Sequence, residues 1–209
     1  MSETDVTGVV VAGGRSTRFG DREKALAEAA GEPMLRRVVS TLAAICDDVV
    51  VNCRPDQQAA FAATLTGVDT TVRFAPDDRP DEGPLAGLLT GLAAVDSEYA
   101  VVLGCDMPLA DPAALTALLD RTRTADADVV VPTTDGGPEP LHAVYRVGPT
   151  RTAARATMDD GKRSLRALLD RLAVARVPVG GDAVPSLSVT SVDTRARLRE
   201  LRDEIENEE

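Results

Sequence analysis

Several residue types are scarce in this chain, and each scarcity excludes a class of protein. Cysteine occurs only three times and histidine once. Because the cysteines are odd in number and lack C-x-x-C spacing, we expect neither a disulfide framework nor a zinc site. No stretch approaches the roughly 18 apolar residues that a membrane span needs, and the N-terminus has no basic region followed by an apolar run. We therefore expect a cytoplasmic protein with no membrane partner.

Positive charge is scarce as well. The 209 residues include 34 Asp and Glu against 23 Lys and Arg, which gives a net charge of −11. Such a surface repels nucleic-acid phosphates, so we expect no nucleic-acid partner. Only two of the 23 basic residues are lysines, and this preference for Arg, with a matching preference for Asp over Glu, suggests a halophilic protein. A site that binds an anionic ligand must therefore rely on a few basic residues placed close together.

Short β-branched segments alternate with amphipathic helical segments along most of the chain. Strands are predicted at residues 9–11, 49–51, 72–74, 99–103 and 129–131. Helices are predicted at residues 33–45, 57–65, 85–95, 112–123, 164–172 and 195–206. The alternation predicts an α/β fold with a mostly parallel sheet, and the almost wholly apolar strands predict helices on both faces. No repeat or linker divides the chain, so residues 1–209 are predicted to form a single domain.

A glycine-rich segment follows the first predicted strand. It reads Ala12-Gly13-Gly14-Arg15-Ser16-Thr17-Arg18-Phe19-Gly20 and is followed by Lys24. Bare backbone can approach a nucleotide closely and offer N–H groups to its phosphates. Arg15, Arg18 and Lys24 add three positive charges, which suit a triphosphate. The segment is neither a dinucleotide fingerprint nor a Walker A loop, and a surface turn with solvated arginines is the alternative.

Polar residues follow three of the other predicted strands. Asp106 comes after the fourth strand, at the sheet edge where parallel α/β proteins bind ligands, and is a candidate Mg²⁺ ligand or a turn-stabilising residue. Asn52 ends the second strand, and its amide could fix a base, a ribose or simply a turn. Asp77 and Asp78 open an acidic loop before Gly83, and either carboxylate could accept hydrogen bonds from guanine unless the loop is merely solvated surface.

The glycine-rich segment with Lys24 resembles the signature GGxSxRMGxDK of nucleotidyltransferases with a Rossmann-like fold, most closely the molybdenum cofactor guanylyltransferases. Phe19 stands in place of Met, and Glu23 in place of Asp. Cys105-Asp106-Met107-Pro108 is similar to the family's metal-binding motif, and the segment 83–87 with its upstream Asp77 is similar to the family's guanine-binding segment. The resemblance implies a three-layer sandwich of the nucleotide-diphospho-sugar transferase type.

The resemblance also implies roles for individual residues. It implies nucleotide binding by Val11, Ala12, Gly13, Gly14, Arg15, Lys24, Asn52, Asp77 and Asp106, with Lys24, Arg18 and Asp106 catalytic. Mg²⁺ is the expected cofactor, with Asp106 as its ligand. The family's Asn-x-Asn-Thr-Pro motif is replaced here by Ser191-Val192-Asp193-Thr194-Arg195, so Asp193 is either a second magnesium ligand or the N-cap of the final helix.

The segment 140–145 is similar to a Pro-Leu-x-Ala-x-Tyr stretch of the family. Pro140, His142 and Tyr145 are therefore expected to line an acceptor pocket, although a lone histidine is more often structural. Lys162 lies in a turn before a predicted helix and is either a phosphate ligand of the acceptor or part of a solvated capping turn.

The function that the resemblance implies is Mg²⁺-dependent transfer of GMP from GTP to the phosphate of molybdenum-bound molybdopterin, with release of pyrophosphate. One alternative keeps this chemistry with another acceptor, such as adenosylcobinamide phosphate or a sugar phosphate, or with CTP as donor. A second alternative is a GTP-binding module without turnover. The protein is expected to be a monomer that contacts other molybdenum cofactor biosynthesis proteins or acceptor apoenzymes.

Overall fold

The computed structural model describes residues 6–15, 19, 23–78, 82–181 and 183–206, with the side chains of 202–206 left aside. The strands are β1 (Val6–Val11), β2 (Glu28–Ala29), β3 (Glu32–Pro33), β4 (Asp48–Cys53), β5 (Thr71–Pro76), β6 (Tyr99–Gly104), β7 (Val129–Thr134), β8 (Gly137–Pro138), β9 (His142–Arg146) and β10 (Val174–Pro178). The α-helices are α1 (Met34–Ala43), α2 (Gln58–Thr64), α3 (Pro84–Ala93), α4 (Pro112–Thr124), α5 (Val147–Asp159), α6 (Leu165–Leu169) and α7 (Arg195–Glu206). Short 3₁₀ helices lie at Lys24–Leu26 and Ser186–Val189.

One large sheet has the strand order β10-β7-β9-β6-β1-β4-β5, with β8 added to β7. Strands β6, β1, β4 and β5 are parallel to one another, whereas β9 is antiparallel to both β6 and β7. The parallel run places the carboxyl ends of β1, β4, β5 and β6 along a single edge, where α/β proteins place ligands.

Helices cover both faces of the sheet. Leu35, Leu42, Phe61 and Leu118, from α1, α2 and α4, pack on one face. On the other face the apolar side chains of α3, α5 and α6 pack against alternate strand residues. The sheet is therefore the middle of three layers, and the predicted α/β sandwich with a mostly parallel sheet is confirmed.

A third apolar cluster joins the C-terminal helix to the glycine-rich segment. Leu198 and Leu201 of α7 pack with Phe19, Met34 and Val192. The site-forming segments at the two ends of the chain are therefore held together by burial of apolar surface. Among the residues described, no helix is both long and apolar enough to cross a membrane.

All six predicted helices and all five predicted strands are present, most with bounds shifted by one to three residues. Helix α5 was missed, because Gly148 and Pro149 in its first turn look like a turn in sequence. A proline is tolerated there because N–H groups of the first turn have no helical partner. Strand β10 was also missed; it is a sheet edge that contains Arg176 and ends at Pro178.

Candidate functional site

A cavity of about 580 Å³ opens at the carboxyl edge of β1, β4, β5 and β6. All the residues predicted to bind nucleotide lie on its wall, although they come from five separate segments of the chain. They are Val11, Ala12, Gly13, Gly14, Arg15, Lys24, Asn52, Asp77 and Asp106. Asp193 lies on the same wall. The structure thus brings these predicted residues together, whereas Arg18 lies outside the described residues.

Lys24 lies between two carboxylates at one end of the cavity. Its Nζ is 2.7 Å from Asp106 Oδ2 and 2.8 Å from Asp193 Oδ1, and the residue is only 7% exposed. Burial alone would lower the pKa of Lys24, but the nearby charge of Asp106 and the hydrogen bonds to both carboxylates outweigh burial and raise it. Lys24 is therefore held as an ammonium ion, and it neutralises part of the negative charge of the two aspartates.

The backbone explains why Asp193 reaches Asp106 from 87 positions away in sequence. The Val192 N–H donates to the carbonyl of Asp106 at 2.8 Å, so the two segments are joined directly beside the aspartates. Asp193 is not the N-cap of α7, since the Thr194 hydroxyl accepts from Arg197 N–H at 3.1 Å instead. The N-cap alternative is therefore wrong, and the Asp193 carboxylate lies on the cavity wall.

The two carboxylates fit a magnesium ion by the chemistry of their donor atoms. Mg²⁺ prefers oxygen ligands and is commonly held by one or two carboxylates together with water and substrate phosphates. Asp106 and Asp193 already share one cation, the Lys24 ammonium. Within the described part of the chain, no three His, Cys, Asp or Glu side chains cluster as a metal site. A bound Mg²⁺ would therefore need phosphate and water oxygens to complete its coordination.

Asn52 and Asp77 form a buried polar pair at the other end of the cavity. Asn52 Nδ2 donates to Asp77 Oδ1 at 2.7 Å and to the carbonyl of Ala75 at 3.2 Å. Burial raises the pKa of Asp77, while the hydrogen bonds from Asn52 and Thr90 counteract part of that rise. Asn52 Oδ1 is buried, and no described donor reaches it. The pair thus offers carboxylate and amide oxygens to a ligand that carries N–H groups.

The pair has room only because its neighbours are glycines. A Cβ atom at Gly13 would contact Asp77 Oδ2, and one at Gly87 would lie 2.5 Å from Asn52 Oδ1. The structure also separates the two rival aspartates: Asp77 is 8% exposed and lies on the cavity wall, whereas Asp78 is exposed. The sequence alone could not distinguish them.

The predicted acceptor residues do not present their side chains to the cavity. His142 and Tyr145 are completely buried in β9. Tyr145 donates from its hydroxyl to the carbonyl of Pro140 at 2.7 Å, and His142 Nε2 lies 3.4 Å from Ser188 Oγ. Leu141 is the residue of this segment that lies on the cavity wall. Because the His142 ring and the Tyr145 phenol are buried and Pro140 is not on the cavity wall, the expectation that these three residues line the pocket is corrected for this cavity.

Lys162 lies in the turn before α6 and is exposed. The next helix has only five residues, and Ser164 caps one of its N-terminal N–H groups, since its Oγ accepts from Ala167 N–H at 3.2 Å. The arrangement is a solvated capping turn, which was one of the two alternatives for this segment.

Two residues that the sequence analysis missed hold the glycine-rich segment. Gln57 donates from Nε2 to the carbonyl of Ala12 at 3.3 Å and accepts from Arg54 N–H at 2.7 Å. The Arg54 side chain bonds to the same glycine-rich segment. Both residues follow Asn52 closely, but their partners are backbone carbonyls about 40 positions away, and no sequence motif marks such contacts.

Comparison with known proteins identifies the family of the chain. Residues 8–177 match the MobA-like NTP transferase domain. The chain is 41% identical over 203 residues to a protein of Natronomonas pharaonis named "Probable molybdenum cofactor guanylyltransferase", covering 95% of this chain and 98% of that one. It is 36% identical over 170 residues to the molybdenum cofactor guanylyltransferase of Pseudomonas putida strain KT2440, covering 79% of this chain and 83% of the relative.

Solved structures share the fold. Molybdopterin-guanine dinucleotide biosynthesis protein A from Archaeoglobus fulgidus superposes with a TM-score of 0.75 at 22% identity, covering 97% of this chain and 99% of that one. The 4-diphosphocytidyl-2C-methyl-D-erythritol synthase from Anaerococcus prevotii superposes with a TM-score of 0.74 at 13% identity, covering 96% of each chain. The fold alone is thus shared by proteins with different substrates. On the match of its sequence over most of its length, the chain belongs to the MobA-like NTP transferase family of enzymes.

Proposed function

We propose that the protein transfers GMP from GTP to the terminal phosphate of molybdenum-bound molybdopterin, yielding molybdopterin guanine dinucleotide and pyrophosphate. The observation that carries this proposal is the meeting of three features in one cavity. These are the glycine-rich backbone at Gly13 and Gly14, the cationic Lys24 between Asp106 and Asp193, and the Asn52–Asp77 pair at the opposite end. The names of the relatives supply the identity of donor and acceptor.

The reaction needs little acid–base chemistry. An oxygen of the acceptor phosphate attacks the α-phosphorus of GTP, a new P–O bond forms, and the bond between the α-phosphorus and the bridging oxygen breaks to release pyrophosphate. The nucleophile is already an anion, so catalysis rests on alignment and charge neutralisation. Asp106 and Asp193 would hold Mg²⁺, which supplies positive charge to the phosphates. Lys24 contributes its ammonium, and the glycine-rich backbone contributes N–H groups.

Guanine selectivity is assigned to the Asn52–Asp77 pair. A carboxylate accepts from both N1–H and the exocyclic amine of guanine, whereas cytosine and uracil lack this pair of donors. Replacement of Asp77 by Asn should reduce the preference for GTP over CTP by about 10-fold or more, since a charged acceptor is lost. Asp78→Asn is the matched control, because the exposed neighbour should leave the preference unchanged. Equal effects of the two substitutions would contradict the assignment.

The experiment that tests the whole proposal is pyrophosphate release from GTP, ATP and CTP with Mg²⁺, with and without molybdopterin. Release only with GTP and molybdopterin supports the proposal. Release with cobinamide or sugar phosphates in place of molybdopterin would favour the related acceptors, and GTP binding without release would favour a module that binds without turnover. Asp106→Ala should abolish release, and full activity of that variant would contradict the metal assignment.

The proposal extends to the setting of the protein. We take the chain to act as a cytoplasmic monomer in concentrated salt and to pass its product to molybdenum cofactor biosynthesis proteins or acceptor apoenzymes. Gel filtration at several protein concentrations tests the monomer, and a concentration-dependent dimer would contradict it.

A further inference from the structure

Arg54 binds the backbone of the glycine-rich segment through its guanidinium. Nη1 donates to the carbonyl of Gly14 at 2.8 Å and to that of Gly13 at 3.2 Å. Nη2 donates to Glu23 Oε2 at 3.1 Å. The side chain is only 11% exposed. One rigid fork therefore joins the start of the segment to the residue that immediately precedes Lys24.

These bonds fix the direction of two N–H groups. In a trans peptide the carbonyl and the N–H of the next residue point in opposite directions, and no described peptide bond is cis. Since the carbonyls of Gly13 and Gly14 point to Arg54, the N–H groups of Gly14 and Arg15 point away from it. Gly13, Gly14 and Arg15 lie on the cavity wall, so the cavity is where these two donors are directed.

We propose that Arg54 is a positioning residue for phosphate binding, which holds the Gly14 and Arg15 N–H groups ready for the phosphates of the nucleotide. The inference rests on the proposed nucleotide site but assigns a role to a side chain outside it. Flexible glycine backbone would otherwise lose much conformational freedom when a phosphate binds. Arg54 reduces that cost because it restrains the backbone before the phosphate binds. Its bond to Glu23 likewise restrains the backbone next to Lys24.

A purely structural role must be distinguished from this one, and Arg36 offers a matched control. Arg36 makes a similar set of contacts elsewhere: Nη1 donates to the carbonyls of Thr64 and Thr66 at 2.8 and 2.9 Å, and Nε donates to Glu32 at 3.1 Å. Arg54 differs in having a second carboxylate partner, Asp56, whose Oδ1 accepts from Nε at 3.2 Å. The cavity wall does not include Arg36 or its partners. Arg36→Ala and Arg54→Ala therefore remove similar bonds, but only Arg54→Ala releases the glycine-rich backbone.

The probe is inorganic tripolyphosphate, titrated calorimetrically into the full-length chain without Mg²⁺ at fixed salt. Arg54→Ala should weaken binding by about 10- to 100-fold, because two correctly placed donors to an anion are lost. Arg36→Ala should change it by less than about twofold. Arg54→Lys should behave like Arg54→Ala, since lysine lacks the planar fork whose separate nitrogens reach the two carbonyls and Glu23. Equal weakening by Arg54→Ala and Arg36→Ala, or full recovery with lysine, would overturn the inference.

The amide protons of Gly14 and Arg15 give a direct readout by nuclear magnetic resonance. Tripolyphosphate should shift both resonances downfield in the unaltered chain and in Arg36→Ala, and much less in Arg54→Ala. Absence of the shift in the unaltered chain would overturn the inference. If tripolyphosphate behaves as expected but GTP shows no preference over ATP and CTP, the proposed guanine chemistry fails while the role of Arg54 stands.

Discussion

Gly13 and Gly14 are neighbours in sequence, yet an added methyl group would meet different surroundings at each. At Gly13 it would contact Asp77 Oδ2 and lie 3.3 Å from Asn52 Oδ1, whereas at Gly14 it would meet nothing within 4 Å. Gly13→Ala should lower the free energy of unfolding by about 1–3 kcal/mol, the usual cost of overpacking. Gly14→Ala should change it by less than about 0.5 kcal/mol. Urea unfolding at one salt concentration compares them, and equal stability of the two variants would contradict this account.

His142 is a buried titratable side chain that the proposed reaction does not use. Burial lowers its pKa from 6.5 to about 4, against a smaller opposing effect of Asp111. Between these two values the unfolded chain binds a proton that the folded chain does not. The contribution of His142 to stability is therefore complete above pH 6.5 and is lost as the pH falls.

His142→Gln should remove this pH dependence. The stability advantage of the unaltered chain over the variant should shrink by up to about 1.4 kcal/mol for each pH unit between 6.5 and 4. Denaturant unfolding of both proteins at pH 7, 6 and 5 measures it, and the difference between them cancels the contribution of the other groups. A difference that stays constant over this range would show that the ring is not kept neutral by burial.

At the scale of elements, the C-terminal helix helps to hold Asp193 in place, because the neighbouring Val192 packs in the same apolar cluster as α7. Leu201 is completely buried in the cluster that joins α7 to Phe19 and Met34. Leu201→Ala should cost about 2–5 kcal/mol of stability and should also reduce turnover by about 10-fold or more, because a displaced carboxylate aligns the reacting groups poorly. Leu118→Ala, in the core cluster under α4, is the control. It should cost similar stability while turnover well below the unfolding temperature stays normal, and equal loss of turnover would contradict the coupling.

The strands and helices also show which parts of the fold can be predicted from the sequence. Periodic apolar segments revealed the main strands and six helices, since burial on a sheet or helix face dictates their spacing. Helix α5 was hidden by Gly148 and Pro149, which look like a turn in sequence but are tolerated in the first turn of a helix. In the site, motifs located Lys24 and Asp106, but the choice of Asp77 over Asp78 and the role of Arg54 depend on tertiary contacts that leave no local pattern.

At the scale of the whole molecule, the net charge of −11 predicts a stability that depends on salt. Repulsion among unpaired carboxylates opposes the compact state, and the Debye length falls from about 10 Å at 0.1 M to about 3 Å at 1 M salt. Raising KCl over this range should increase the melting temperature by about 2–8 °C, which corresponds to roughly 1–2 kcal/mol for a chain of this size. Calorimetry measures the melting temperature, and a sucrose control separates the screening of charge repulsion by salt from the stabilisation by any solute excluded from the protein surface. A melting temperature that falls with KCl would contradict the prediction.

The position of Lys24 between its two carboxylates also affects how the protein can be labelled. Lys24 and Lys162 are its only lysines. Acylating reagents attack an unprotonated, accessible amine, and the Lys24 ammonium is both buried and held in its protonated form. Lys162 is exposed. An amine-reactive dye should therefore modify Lys162 in preference to Lys24, which gives the protein a natural attachment point for a fluorophore or a surface tether.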